Sequence, residues 1–340
     1  MQDQDPTASS RKNDHIALAF ESQTPMADDR FEYEPLFSGN TPDTQKLACH
    51  FAGFDFGAPL WVSSMTGGTE KARHINHNLA AMCKEFALGM GLGSCRSLLY
   101  DDRFFEDFNV RPLMGDRPLY ANLGVAQIEA LLKEGEEQRM VDLVGKLSAD
   151  GLIVHINPLQ EWFQPEGDRY VEPPLKTIEL LLKKTGLRLI VKEVGHGMGP
   201  ASLAALMQLP LDAIEFAAFG GTNFSKLEMM RDTTGQAAQK SAMAYVGHTA
   251  AEMVAFVNEI MEKGPVACNQ VIISGGVGSF LDGIYLVDRC NATAIYGQAS
   301  AFLKQALGSY EQLRQYAGTQ IEGMAMARQF LKHKNQGSNG

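Results

Sequence analysis

The chain has 340 residues, 45% hydrophobic and 21% charged, enough apolar material for one large domain or two ordinary ones. A formal net charge of -10 and a pI near 5.3 argue against a general nucleic-acid surface while leaving room for a local basic pocket. Five cysteines without a CxxC pair point away from a zinc site or disulfide framework and suit a reduced, cytoplasmic protein, and no window reaches the roughly 18 uncharged apolar residues of a membrane span.

The N-terminal MQDQDPTASS is polar and acidic, without the apolar stretch of a signal peptide. A basic cluster follows at Arg11, Lys12 and His15. From residue 60 onward, short β-type runs alternate with helical patterns. Strands are expected at Leu60–Ser63, Gly89–Gly93, Leu119–Asn122, Leu152–Asn157, Leu187–Glu193, Ala213–Ala218, Gln270–Ser274 and Ala292–Tyr296. Helices are expected at Lys71–Phe86, Val125–Lys133, Leu175–Lys184, Ala201–Gln208 and Phe280–Arg289. The stretch 237–263 reads as two helices broken near Gly247, and a last helix over Ala301–Tyr316 continues as helix to Lys332. The final KHKNQGSNG reads as frayed.

Eight strand–helix repeats over about 250 residues are the pattern of a (β/α)8 TIM barrel, with a doubly wound open sheet as the competitor. The expected organisation is an N-terminal extension over 1–58, a barrel over 59–333 and a tail over 334–340.

In a barrel, chemistry gathers at the C-terminal ends of the strands. Here the turns after strands 7 and 8, Ser274-Gly275-Gly276-Val277-Gly278 and Tyr296-Gly297-Gln298-Ala299, suit a phosphate approached closely by backbone N–H groups. Lys192 interrupts the apolar run Leu189-Ile190-Val191; facing inward, it aims a cation at whatever covers the barrel mouth, or else pairs with Glu215 on strand 6. His74 and His77 stand three apart on an outer helix with no third ligand in view and read as a solvated face. After strand 4 comes HINPLQEWFQPEGDR (155–169), which sets His155, Asn157, Gln160 and Glu161 within seven positions but offers no nucleophile.

Together with RKNDH (11–15), MTGG (65–68), Ser94-Cys95-Arg96, ANLG (121–124), VKEVG (191–195), FGGT (219–222), SGGV (274–277) and YGQA (296–299), this stretch resembles the type 2, FMN-dependent isopentenyl-diphosphate isomerases. The resemblance implies a TIM barrel that binds FMN and magnesium, has its flavin reduced by NADPH, and interconverts isopentenyl and dimethylallyl diphosphate without net redox. It implies a catalytic Gln160 and His155, with Gln160 handling the C2 proton. Arg11, Lys12, His15, Ser94, Arg96 and Asn157 join Gln160 in contacting the substrate, with a flap at the N-terminus closing on the diphosphate. FMN is expected on Met65, Thr66, Gly67, Ser94, Asn122, Lys192, Thr222, Gly275, Gly276, Gln298 and Ala299, and magnesium on Glu161. The same resemblance implies a homotetramer or larger.

Cys95 departs from the glutamine usual between the serine and arginine of that motif, and a free cysteine there reads as a small apolar filler. The nearest rival is an FMN barrel acting on 2-hydroxy acids. It requires a histidine base before the glycine pair that ends strand 6, where this chain has Phe219, expected instead as a wall beside an isoprenoid tail.

Overall fold

The computed structural model describes residues 7–233, 235 and 237–334. They fall into two units, one from Gly39 to Gln329 and one made of the described parts of 1–38 and 330–340.

The larger unit is a closed barrel of eight parallel strands in sequential order. Its strands are β1 Leu60–Val62, β2 Gly89–Gly91, β3 Leu119–Gly124, β4 Gly151–His155, β5 Leu189–Lys192, β6 Ala213–Glu215, β7 Gln270–Ser274 and β8 Thr293–Gln298. Closure is made by β8 on β1, with Tyr296 opposite Leu60 and Gln298 opposite Val62. The eight expected strands are all present, and the open-sheet alternative is excluded.

Alternation along the strands sorts the barrel interior into two levels. Trp61, Tyr120, Ile153, Ile190, Ala213, Ile272 and Ile295 form an apolar level, packed against Phe51 and Phe56 of the hairpin Cys49–Phe51/Phe54–Phe56. The Trp61 and Tyr120 rings meet edge to face with centroids 6.1 Å apart, a favourable aromatic geometry. Two residues further along the same strands stand Ser63, Asn122, His155, Lys192, Glu215, Ser274 and Gly297. One step of the pleat thus changes the interior from hydrocarbon to polar groups.

Between the strands lie the expected helices, as Glu70–Phe86, Val125–Glu134, Pro174–Thr185, Pro200–Met207 and Phe280–Asp288. The sequence reading missed Gln138–Lys146, Pro158–Phe163 and Phe224–Arg231. The 237–263 stretch does divide, into a 3-10 helix Ala237–Tyr245 and an α-helix Ala250–Lys263. The expected single helix from Ala301 is two, Ser300–Ala306 and Tyr310–Phe330. Ser309 starts the second: its backbone N–H donates to Gln312 Oε1 and its hydroxyl accepts from Gln312 N–H, a capping box.

In the smaller unit, Ala8–Leu18 is a helix, and Phe31–Tyr33 pairs antiparallel with Leu331–His333. The last long helix therefore stops at Phe330 and does not run to Lys332, because the next three residues give their backbone groups to that ladder. Residues 1–6 and the tail beyond Lys334 lie outside the described residues.

Candidate active site

A cavity of about 440 Å³ opens at the C-terminal ends of β1 and β5–β8. Of the residues expected to hold FMN, Met65, Lys192, Thr222, Gly275, Gly276, Gln298 and Ala299 line it, whereas Thr66, Gly67, Ser94 and Asn122 stand outside its lining. Gly275 has a left-handed φ of +86°, and a Cβ there would lie 2.1 Å from the Ala218 carbonyl oxygen. Only glycine permits this turn to pack on the end of β6.

Lys192 is buried, and its Nζ donates to the Glu193 carbonyl oxygen at 2.7 Å. It makes no ion pair among the described residues, so pairing with Glu215 is not how the chain accommodates this cation. The turn behind it is fixed by Glu193, whose Oε2 accepts N–H bonds from Gly195 and His196, both at 2.6 Å, and from Gly197 at 3.1 Å. His196 in turn donates from Nδ1 to the Val246 carbonyl at 2.6 Å and accepts the Ser225 hydroxyl at Nε2 at 2.8 Å.

The HINPLQE stretch leaves β4 and enters the helix Pro158–Phe163, with Asn157 as its N-cap residue and Pro158 at the first position, where a missing N–H costs nothing. Asn122 donates from Nδ2 to the Leu92 carbonyl at 2.9 Å, so its Oδ1 is left to accept the Nδ1–H of His155 at 2.8 Å. Burial, and secondarily the charge of Lys192, lowers the His155 pKa to about 3. His155 is therefore a neutral imidazole with Nε2 as acceptor. Asn157 Nδ2 reaches both Gln160 Oε1 at 3.1 Å and Glu161 Oε1 at 2.9 Å, which draws the three side chains together. Gln160 Nε2 donates to Glu228 Oε1 at 3.3 Å, and Glu161 Oε2 accepts the Asp168 N–H at 2.6 Å.

Asp168 anchors the QPEGDR loop. It accepts Arg96 Nη1 and Gln127 Nε2, each at 2.6 Å. Arg96, expected on the substrate, is thus already held beside the loop that positions Glu161; its side chain remains 54% exposed and available to an anion. Ser94 is exposed at the same turn. Arg11, Lys12 and His15 are exposed on the helix Ala8–Leu18 of the smaller unit.

Cys95 is fully buried in the apolar core, donates weakly to the Gly93 carbonyl, and has its thiol pushed up to about 12 by burial. It is the filler expected, and all five cysteines are free. His74 and His77 contact the carbonyls of Gly308 and Glu106. Among the described residues no three His, Cys, Asp or Glu side chains gather as a metal site, and no helix is long and apolar enough to cross a membrane. Phe219 does not line the cavity; its backbone bridges to Thr249 and its ring sits by Gly247, while Phe224 supplies the aromatic wall.

Ser63, Ser64 and Lys304 line the cavity and Glu228 holds Gln160, none of them singled out in the sequence, and Glu215, expected there only as an ion-pair partner of Lys192, lines the cavity too. Ser63 and Glu215 were findable, since each lies two positions beyond an inward apolar residue of its strand. Glu228 had no such signal, because it sits on a helix that was not expected.

No family model matches the chain. Among curated proteins, the isopentenyl-diphosphate delta-isomerase of Rickettsia peacockii (strain Rustic) is 35% identical over 266 residues, 78% of this chain and 75% of the relative. The protein of the same name from Pseudescherichia vulneris is 34% identical over 328 residues, covering 93% and 91%. Among solved structures, a flavocytochrome b2 variant with benzoylformate aligns with a TM-score of 0.59 at 14% identity, over 89% of this chain and 75% of that one. A mandelate oxidase variant with a monooxide FMN adduct aligns at 0.55 and 13%, over 90% and 88%. These two likenesses are of fold.

Proposed function

This chain belongs to the isopentenyl-diphosphate delta-isomerases, and from that premise we propose that it interconverts isopentenyl and dimethylallyl diphosphate with a reduced FMN held in the barrel-mouth cavity. The observation that carries the FMN reading is Lys192, a buried cation with no carboxylate partner among the described residues, on the wall of a glycine-lined cavity. Such a cation suits an anionic ring, and Gly275, Gly276 and Lys304 suit its phosphate. The buried hydroxyls of Ser63 and Ser64 and one oxygen of Glu215, none with a partner among the described residues, give the same cavity polar groups for a polar ligand to meet.

Reduced FMN supplies a group that can give and take a proton beside a surface able to stabilise positive charge. The chain's own residues orient and shield. Gln160, held between Asn157 and Glu228, is assigned to the alkene and the C2 proton. His155, neutral and fixed by Asn122, contacts the substrate as a hydrogen-bonding group and not as a counter-ion. Arg96 and Ser94, with Arg11, Lys12 and His15 on a flap, are assigned to the diphosphate; guanidinium groups grip such oxygens two at a time.

Glu161 fits magnesium. Both its oxygens accept one N–H, which leaves lone pairs for a cation, and a single carboxylate plus substrate oxygens is ordinary for this ion. NADPH is the reductant proposed, and the homo-oligomer is a tetramer or larger. The hydroxy-acid reading lacks its base, since Phe219 cannot take a proton.

The test is an anaerobic assay of protein loaded with FMN, magnesium and NADPH, following dimethylallyl diphosphate. Wild type should form product, and Gln160→Ala and Glu161→Ala should each lower the rate by about 100-fold or more. Full activity in both variants would remove these assignments.

A further inference from the structure

Glu215 is the last residue of β6 and is 0% exposed, yet it lines the cavity. Its Oε1 accepts the Ser274 hydroxyl at 3.1 Å, and its Oε2 has no hydrogen-bond partner among the described residues. Across the sheet, its register partner is Lys192. The two charges stand side by side at the polar level of the interior but form no ion pair. A carboxylate removed from water without a cation of its own is costly to keep, so its charge bears directly on whatever else the cavity holds.

The strand pattern explains how it comes to be there. Ala213 belongs to the apolar level, and Glu215 follows two residues on, at the floor of the cavity, not its rim. At that depth there is little water to screen it, and a unit charge acts more strongly than it does at the surface.

We propose that Glu215 is a tuning residue, opposing Lys192 at the cavity floor and so setting the relative affinity of the site for reduced and oxidised FMN. The proposal rests on the FMN reading given above. Two-electron reduction leaves the ring more negative. Lys192 favours that form, and Glu215 disfavours it. The chain thus holds a buried cation toward the ligand while limiting how far that cation stabilises the reduced ring.

The experiment is a spectroelectrochemical titration of the FMN holoprotein at fixed pH, comparing wild type, Glu215→Gln and Glu215→Asp. Glu215→Gln keeps the shape and removes the charge. It is expected to raise the ratio of reduced to oxidised affinity about tenfold, an upward shift of about 30 mV for a two-electron couple. Glu215→Asp keeps the charge one methylene further back and should shift the couple the same way by less than half as much. An unshifted couple in Glu215→Gln, or equal shifts in both variants, overturns the proposal, the second because it would reflect packing and not charge. If Glu215→Gln does not fold, Glu215→Asp decides: a small upward shift supports the proposal and none contradicts it. A wild-type protein that retains no FMN would overturn the FMN reading itself, and is recognised before either variant is measured.

Discussion

His155 gives its Nδ1–H to Asn122 and lies beside the Lys192 cation, and both the burial and the neighbouring charge keep it neutral. Its imidazole signals in a nuclear magnetic resonance titration should be flat between pH 5 and 8, and a midpoint near the ordinary value of about 6.5 would contradict this environment. The sign for stability follows. A base whose folded pKa is depressed contributes stability above its unfolded pKa, and that contribution drains away as pH falls from about 6.5 toward 3. His155→Asn should therefore be less acid-sensitive in its unfolding midpoint over that window. Glu228 is the other residue whose effect is specific. Buried on the helix Phe224–Arg231, it holds Gln160 and Gln164 through one oxygen and Arg231 through the other. Glu228→Ala should lower turnover about tenfold or more through misplacement of Gln160, with a smaller change in KM. An unchanged turnover number would show that Gln160 is positioned without it.

At the scale of elements, the strand-end turns and the outer helices should respond differently to substitution. Gly275→Ala forces a side chain into a left-handed backbone and onto the Ala218 carbonyl. It should cost roughly 2 kcal/mol or more and weaken FMN retention as well. Thr249→Ala removes the capping box at the start of Ala250–Lys263, where Thr249 and Glu252 each satisfy the other's backbone N–H. That should cost about 1 kcal/mol with FMN binding unchanged. Denaturant midpoints and flavin retention, measured together, separate the two cases; loss of FMN in Thr249→Ala would mean the cap reaches the site.

The same contrast explains what could be read beforehand. All eight barrel strands were legible because alternation and glycine-closed ends survive in the local sequence. Lys192 was conspicuous because it interrupts an apolar run. The helix Phe224–Arg231 was not legible: Phe224, Leu227, Met229 and Met230 make no single apolar stripe, so the partner of Gln160 went unseen. The break at Gly308-Ser309 and the strand Leu331–His333 were missed for a related reason. A capping box and a long-range ladder decide them, and helical periodicity carries neither signal.

For the whole molecule, a net charge of -10 coexists with a cavity lined by two cations, Lys192 and Lys304, and one carboxylate, Glu215. The acidic surface and the basic mouth are compatible because screening confines surface charges to about a Debye length, whereas buried ones act at full strength over short range. The barrel then serves as a frame that turns one step of pleat into a polar interior level, and the proposed isomerisation needs that level more than it needs a nucleophile. In the proposed reaction the reduced cofactor is required for a proton addition and removal that leaves no net redox change. The measurement that tests it most directly is anaerobic turnover of isopentenyl diphosphate in D2O by the FMN-loaded protein with magnesium, with and without NADPH, read by nuclear magnetic resonance. The expected product is dimethylallyl diphosphate bearing deuterium in the methyl group derived from C4, formed only when the flavin is reduced. Equal product with oxidised flavin, or product without deuterium in that methyl group, would contradict it.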